Sequence, residues 1–200
     1  MCIIAISPLG EKFSREVFER MWSSNPHGFG MAFPTKNGIG IVKGIMREDE
    51  AWEEYQALPR GVPHILHFRY ATHGGVRPEL THPFVVHEDS PLVIREEVDE
   101  PVLVHNGVWE LYALHLRELD LKGPVSDSRV LAAFVGKVGL ENTNKHAREI
   151  ESAGRVAILA PDRRLKLFGS WIRDGDFLYS NSGYKAVAAR WWKGWESVAK

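Results

Sequence analysis

Cys2 is the single cysteine of the 200-residue chain, and removal of Met1 would make it the N-terminal residue. One residue would then carry both a thiol and a free α-amine. Their reference pKa values, about 8.5 and about 7.7–8.0, leave part of the amine unprotonated at neutral pH. That amine can take the thiol's proton directly or through a water, an established way to activate a weak nucleophile. The same cysteine, followed by Ile3-Ile4-Ala5-Ile6, also reads as a small buried hydrophobe opening a strand.

Three other positions carry groups suited to chemistry. Arg69 lies on an apolar strand, Pro63 to Ala71, whose alternation puts Ile65, His67, Arg69 and Ala71 on one face. Its guanidinium either pairs with a surface carboxylate or offers a planar fork to a bound carboxylate or phosphate. Asn106-Gly107 closes a second buried strand. The pair makes either a turn or an oxyanion hole, from the Asn amide and a backbone N–H, where one donor is worth roughly 10²–10³ in rate. Asp127 sits in the first turn of a helix, where the helix dipole favours a carboxylate in any case; its other role is to pair with a substrate ammonium.

Other chemistries fit less well. Of the nine histidines, His64 and His67 face opposite sides of a strand. His73 and His82 share a loop with no acidic partner at ligand spacing. Neither a metal site nor a cofactor is expected. His73-Gly74-Gly75 hints at an esterase oxyanion loop, but no Gly-x-Ser-x-Gly occurs. Gly28-Phe29-Gly30 is too short and wrongly placed for a dinucleotide fingerprint.

The elements that must hold these residues follow from periodicity. Ile3 to Ile6 read as a buried strand. Ser14 caps a helix to about Ser24, with Val17, Phe18, Met21 and Trp22 on one face. Gly28–Phe33 and Gly38–Lys43 form a hairpin, and glycines within a strand mark close approach of another backbone or a ligand. Helices are expected over Glu48–Leu58, Trp109–Leu119, Ser126–Val138 and Asn144–Ser152. Pro101–His105 is a strand, and Gly154–Ala160, Arg164–Gly169 and Asp176–Ser180 are three late ones. Strands early and late with helices between fit an α+β layered protein better than a wound βαβ sheet.

Composition sets outer bounds. Hydrophobic content of 44%, charged content of 26% and a net charge of −1 describe an ordinary globular domain with no global field for nucleic acid or membrane. The apolar runs are too short to span a bilayer, and the N-terminus does not read as a signal peptide. One cysteine fits a reducing compartment. The expectation is one cytoplasmic domain over residues 1–200, with its motifs within 2–138 and late strands and a tryptophan-rich tail in 154–200. Trp191-Trp192-Lys193-Gly194-Trp195 either docks on its own domain or meets a partner or second copy.

Taken together, the motifs resemble the class II glutamine amidotransferases, the glutaminase branch of the N-terminal-nucleophile hydrolases. The matching stretches, in the family's order, are Met1-Cys2-Ile3-Ile4, Asn25-Pro26-His27-Gly28-Phe29-Gly30-Met31-Ala32, His67-Phe68-Arg69-Tyr70-Ala71-Thr72-His73-Gly74, Thr81-His82-Pro83-Phe84, His105-Asn106-Gly107 and Ser126-Asp127-Ser128. They look closest to the short stand-alone, glutaminase-like members. The resemblance implies a four-layer αββα sandwich. It also implies roles: Cys2 as nucleophile and its α-amine as base, and Asn106 and the Gly107 N–H as the oxyanion hole. Arg69, with Thr72 and His73, would bind the α-carboxylate and Asp127 the α-ammonium of glutamine or a γ-glutamyl compound. Hydrolysis through a γ-glutamyl thioester would release ammonia or an amine.

Three departures accompany the match. Asn25-Pro26-His27-Gly28 replaces the Arg-Gly-x-Asp-type loop of the large synthases. Arg129 stands where members commonly carry Glu, changing the charge expected beside Asp127. No acceptor domain is evident, so ammonia would pass to a separate subunit or the chain would simply hydrolyse a γ-glutamyl amide. Two alternatives remain: an inactive member kept as a binding or partner module, and an amidase acting on another acyl group.

Overall fold

The computed structural model describes residues 2–72 and 74–185. The binding role expected of His73 and the docking expected of Trp191–Trp195 lie outside the described residues.

Two antiparallel sheets organise the chain. The larger has seven strands in the order β10 (Ile172–Asp174), β11 (Phe177–Tyr179), β1 (Ile3–Ser7), β4 (His64–Phe68), β2 (Phe29–Pro34), β3 (Ile39–Ile45) and β6 (Arg95–Val98). The smaller has four, ordered β5 (Phe84–Val85), β7 (Val102–Gly107), β8 (Gly154–Leu159) and β9 (Leu165–Phe168). Every residue of β1 is buried, because its two faces meet different apolar clusters. Ile4 and Ile6 join Ala32, Ile41 and Ile65 of the same sheet against Val85, Val102, Val104, Ala157 and Leu159 of the other. Ile3 and Ala5 point the opposite way, toward Phe18, Met21 and Trp22 of α1 (Arg15–Ser24) and Ala51 and Tyr55 of α2 (Glu48–Ala57). The outer face of the smaller sheet, with Leu103, Val156 and Ile158, packs on Val130, Leu131, Phe134 and Val135 of α4 (Asp127–Val138) and Ile150 of α5 (Ala147–Ser152).

Local signals set the helix starts. Ser14 Oγ accepts from the Val17 N–H at 3.3 Å, and Ser126 Oγ accepts from the Arg129 N–H at 3.2 Å. Both satisfy a donor that the first helical turn leaves unpaired. Elsewhere the boundaries differ from expectation. The strand expected to run to Ala71 stops at Phe68. The helix expected over Trp109–Leu119 shrinks to α3 (Tyr112–His115) plus one tight turn over Leu116–Glu118. The Trp109 N–H is taken by the Asp127 carboxylate at 3.0 Å, which ties that residue to the site. The helix expected from Asn144 begins at Ala147, after hydrogen-bonded turns from Lys145 to Asn142 and from His146 to Thr143. Strands β5, β6 and β10 are additions: β5 is two residues long, β6 (Arg-Glu-Glu-Val) is exposed except at Val98 and β10 (Ile-Arg-Asp) is exposed, so they lack the apolar alternation that reveals a strand.

Candidate active site

One pocket collects most of the chemically distinctive residues. Cys2, Arg69, Tyr70, Thr72, His82, His105, Gly107, Asp127 and Ser128 are among those lining it. Its elements converge from both sheets. Cys2 precedes β1, Arg69 follows β4, Gly107 ends β7 and Asp127 opens α4. A larger apolar cavity of about 120 Å³ lies by Ser7, Pro34, His64 and Leu159, but it contains none of the residues singled out for chemistry.

Cys2 is half-buried. Its sulfur accepts from the Tyr70 N–H at 3.3 Å, and the thiol faces the Tyr70 carbonyl at 3.5 Å. Burial pushes the thiol pKa above its ordinary value; the Tyr70 peptide and the charge of Arg69 oppose that rise in part. At neutral pH the group is therefore a thiol in need of a base. Its carbonyl accepts from Asn181 Nδ2 at 2.8 Å.

Arg69 is 3% exposed and donates from Nη1 to the Gly75 carbonyl at 2.7 Å. Burial lowers its pKa, and the negative charges of the Cys2 thiolate and Asp127 act against that. The Asn25-Pro26-His27-Gly28 loop supports this segment. Its His27 N–H donates to the Arg69 carbonyl at 3.0 Å and its Gly28 carbonyl accepts from the Arg69 N–H at 2.8 Å. His27 Nδ1 accepts from the Ala71 N–H at 3.1 Å, and the imidazole stacks on Tyr70. The loop thus braces Arg69 to Ala71, and through the Tyr70 peptide it reaches the sulfur. Close approach explains Gly30 as well, because a Cβ there would lie 1.9 Å from the His82 carbonyl.

Asp127 is buried, and its Oδ2 accepts from the Trp109 N–H. Arg129 does not share the pocket. Its buried guanidinium donates to the carbonyls of Ser90, Lys122, Pro124 and Asp89 at 2.7–3.1 Å, so it ties two loops to α4. The altered charge expected beside Asp127 is directed away from the site.

Asn106 and Gly107 separate. Gly107 lines the pocket, whereas Asn106 does not. The Asn106 amide is buried and donates from Nδ2 to Ser180 Oγ at 2.8 Å, while its Oδ1 has no partner among the described residues. A Cβ at Gly107 would meet the Ala153 carbonyl at 1.8 Å, so only glycine allows β7 and the start of β8 to approach this closely.

Three neutral histidines, to which the sequence assigned no joint role, pack together at the pocket, with His82 and His105 in its lining. His67 and His82 stack with ring centroids 3.8 Å apart. His67 Nε2–H donates to the His105 carbonyl at 3.1 Å. His105 Nε2–H donates to the Ala153 carbonyl at 2.9 Å, which leaves Nδ1 to accept from the Ser128 hydroxyl at 2.9 Å. Burial lowers all three pKa values, that of His67 to about 3. Lys43, 2% exposed, donates to the Pro83 carbonyl at 2.9 Å and sits over the Phe84 ring. Burial, with the charges of Arg129 and Arg69, lowers its pKa to about 7. Among the described residues no group of three or more His, Cys, Asp and Glu side chains is placed to hold a metal ion, and no helix is long and apolar enough to cross a membrane.

No protein-family model matches the chain, and no curated protein does. Solved structures share its fold, among them these two. One is the glutamine phosphoribosylpyrophosphate amidotransferase from B. subtilis complexed with ADP and GMP, at 18% identity and a TM-score of 0.55 over 90% of this chain. The other, described as the allosteric regulatory enzyme of purine biosynthesis, has the same identity, coverage of this chain and TM-score. This chain spans 42% and 41% of their lengths. At that identity the likeness is one of fold.

Proposed function

We propose that the protein is a Cys2-dependent amidohydrolase of the class II glutamine amidotransferase type, built on the four-layer αββα sandwich of the N-terminal-nucleophile hydrolases. The observation that carries this reading is that Cys2, Arg69, Gly107 and Asp127, from four separate elements, line one pocket. A cation, an anion and a thiol within one small site are complementary to an α-amino acid bearing a reactive acyl group. The shared fold supports the same reading.

In this mechanism Cys2 is the mature N-terminus. Arg69, with Thr72 and His73, holds the α-carboxylate of glutamine or a γ-glutamyl amide, and Asp127 holds its α-ammonium. The α-amine of Cys2 takes the thiol proton, and Sγ attacks the γ-carbonyl carbon. The oxyanion is stabilised by the Gly107 N–H and, once the substrate has widened the pocket as far as Asn106, by the second N–H of the Asn106 amide. Collapse breaks the C–N bond, and the proton held by the amine passes to the departing ammonia or amine. Water then attacks the γ-glutamyl thioester and releases glutamate and the free thiol. A cysteine thiol is mostly protonated at neutral pH, which is the reason a local base is required.

The pocket is tight, about 20 Å³, room for about one water. Substrate entry therefore requires the exposed side of the site, at Thr72 and Gly74-Gly75, to yield. A separate ammonia-accepting subunit fits a synthase role; without one the reaction is hydrolysis.

The test is ammonia release from glutamine by protein whose N-terminus has been shown by mass spectrometry to be Cys2. Release that is lost in Cys2→Ala and absent from protein retaining Met1 supports the reading. Equal release by Cys2→Ala would exclude it.

A further inference from the structure

The segment after β11 was expected only to end a strand, yet it touches both halves of the reacting centre. Antiparallel pairing sets Tyr179 opposite Ala5, and the Ser180 N–H continues the ladder by donating to the Ile4 carbonyl at 3.0 Å. The return bond goes elsewhere. The Ile4 N–H donates to Ser180 Oγ at 2.8 Å, so a side chain takes the acceptor position that a ladder carbonyl ordinarily fills. The same oxygen accepts from Asn106 Nδ2 at 2.8 Å. One residue later, Asn181 Nδ2 donates to the Cys2 carbonyl at 2.8 Å, and its Oδ1 accepts from the Gly183 N–H at 2.9 Å.

Ser180 is 1% exposed, and its two acceptor sites are both used. One fixes the backbone two residues past the nucleophile, and the other fixes the side chain on the opposite sheet. An Asn amide nitrogen has two N–H groups. With one held by Ser180, rotation of the amide is blocked and the direction of the other is set. A donor in a water-poor site is effective only while its geometry is held in advance.

We propose, resting on the function given above, that Ser180 and Asn181 are positioning residues. Ser180 locks the Asn106 amide to the nucleophile strand and Asn181 locks the Cys2 carbonyl, so that sulfur and oxyanion donor keep one spacing. Neither residue touches the substrate. Their effect falls on the transition state, whereas ground-state recognition by Arg69 and Asp127 is untouched.

The experiment compares Ser180→Ala, Ser180→Thr and the near-isosteric Ser180→Cys, whose sulfur is a weak acceptor, with Asn106→Ala and the Ser180→Ala/Asn106→Ala double variant. Steady-state glutaminase kinetics are measured alongside the rate of Cys2 alkylation by iodoacetamide, which needs no oxyanion donor. The Asn106 side-chain amide is followed by NMR, its signals identified by their loss in Asn106→Ala. Expected in Ser180→Ala is a kcat lower by about 10- to 100-fold, with KM and alkylation within about twofold. Thr should recover most of the loss and Cys should not. The double variant should fall little below Asn106→Ala, because coupled residues are not additive. Multiplying losses, or an alkylation rate that falls with kcat, would overturn the inference. The amide readout is independent of turnover and of Ser180→Ala folding well, since Ser180→Cys preserves the volume. Shifted, faster-exchanging Asn106 amide protons in Ser180→Cys support the lock even in a protein that releases no ammonia, where it is the function above that fails. Unchanged amide signals overturn the lock in either case.

Discussion

The peptide of Tyr70 brackets the sulfur of Cys2: its N–H lies 3.3 Å from Sγ and its carbonyl 3.5 Å away. This contact joins the start of β1 to the segment carrying Arg69, and it defines the electrostatic state of the nucleophile. Burial dominates, so the thiol pKa is raised; the Tyr70 peptide and Arg69 pull it down. In protein retaining Met1, a thiolate titration followed by ultraviolet absorbance should have its midpoint above the ~8.5 of a free cysteine. Arg69→Ala removes a stabilising positive charge, so its midpoint should move higher still. A midpoint well below 8.5 would contradict this picture.

Asp127 separates charge from structure cleanly. Its Oδ2 accepts from the Trp109 N–H, and Asn can keep that bond while losing the negative charge. Asp127→Asn should therefore fold normally. It should lose about 10- to 100-fold in kcat/KM for glutamine, as expected for a charge-assisted contact of roughly 1.5–3 kcal/mol. With glutaramate, which lacks the α-ammonium, wild type and variant should differ by less than about threefold. Equal losses on both substrates would place Asp127 in the scaffold alone.

Acid should weaken the fold through buried histidines. Burial lowers His64 to about 4 and His67 to about 3, whereas in the unfolded chain both titrate near 6.5. Between those limits the unfolded state binds more protons, so stability falls as pH falls from about 6.5 toward 3. Each pKa unit corresponds to about 1.4 kcal/mol per group. Urea midpoints should drop steadily from pH 7 to pH 4, with a shallower slope in His67→Gln. A flat profile over that range would refute the assignment.

Lys43 should act with the same sign in a more alkaline window. Its folded pKa is about 7 against about 10.4 unfolded. The unfolded state therefore binds more protons from pH 7 to about 10, and stability rises with pH across that interval. Below pH 7 the buried charge imposes its full cost. Lys43→Met removes that cost, so its gain over wild type should be largest near pH 6 and shrink by pH 10. A gain that does not vary with pH would contradict the buried-ammonium account.

Much of this architecture was legible because its signals are local. Ser14 and Ser126 mark their helices as capping residues, and the Ile3–Ile6 run marks a strand buried on both faces. Arg69 stood out as a charge on an apolar strand, and it does line the pocket. What was hidden depends on contacts far apart in sequence. Nothing near Ser180 or Asn181 announces hydrogen bonds to Asn106, Ile4 and Cys2, since those partners lie across both sheets. His82, His105 and Ser128 stood in the matching motifs but carried no spacing pattern of their own, because their neighbourhood comes from the segment before β5, from β7 and from α4 packing together. Arg129 was misplaced for the same reason: its charge neighbours Asp127 in sequence, but α4 turns it onto loop carbonyls on another side. The edge strands β6, exposed except at Val98, and β10 lack alternation, so they could be found only by their pairing.

The central claim is a covalent γ-glutamyl thioester on Cys2. It is tested most directly by incubating protein with a free Cys2 α-amine with glutamine and hydroxylamine, which intercepts the thioester as γ-glutamyl hydroxamate. The expected result is hydroxamate from the wild type and none from Cys2→Ala. Hydroxamate formation by Cys2→Ala, or its absence from the processed wild type, would contradict the account.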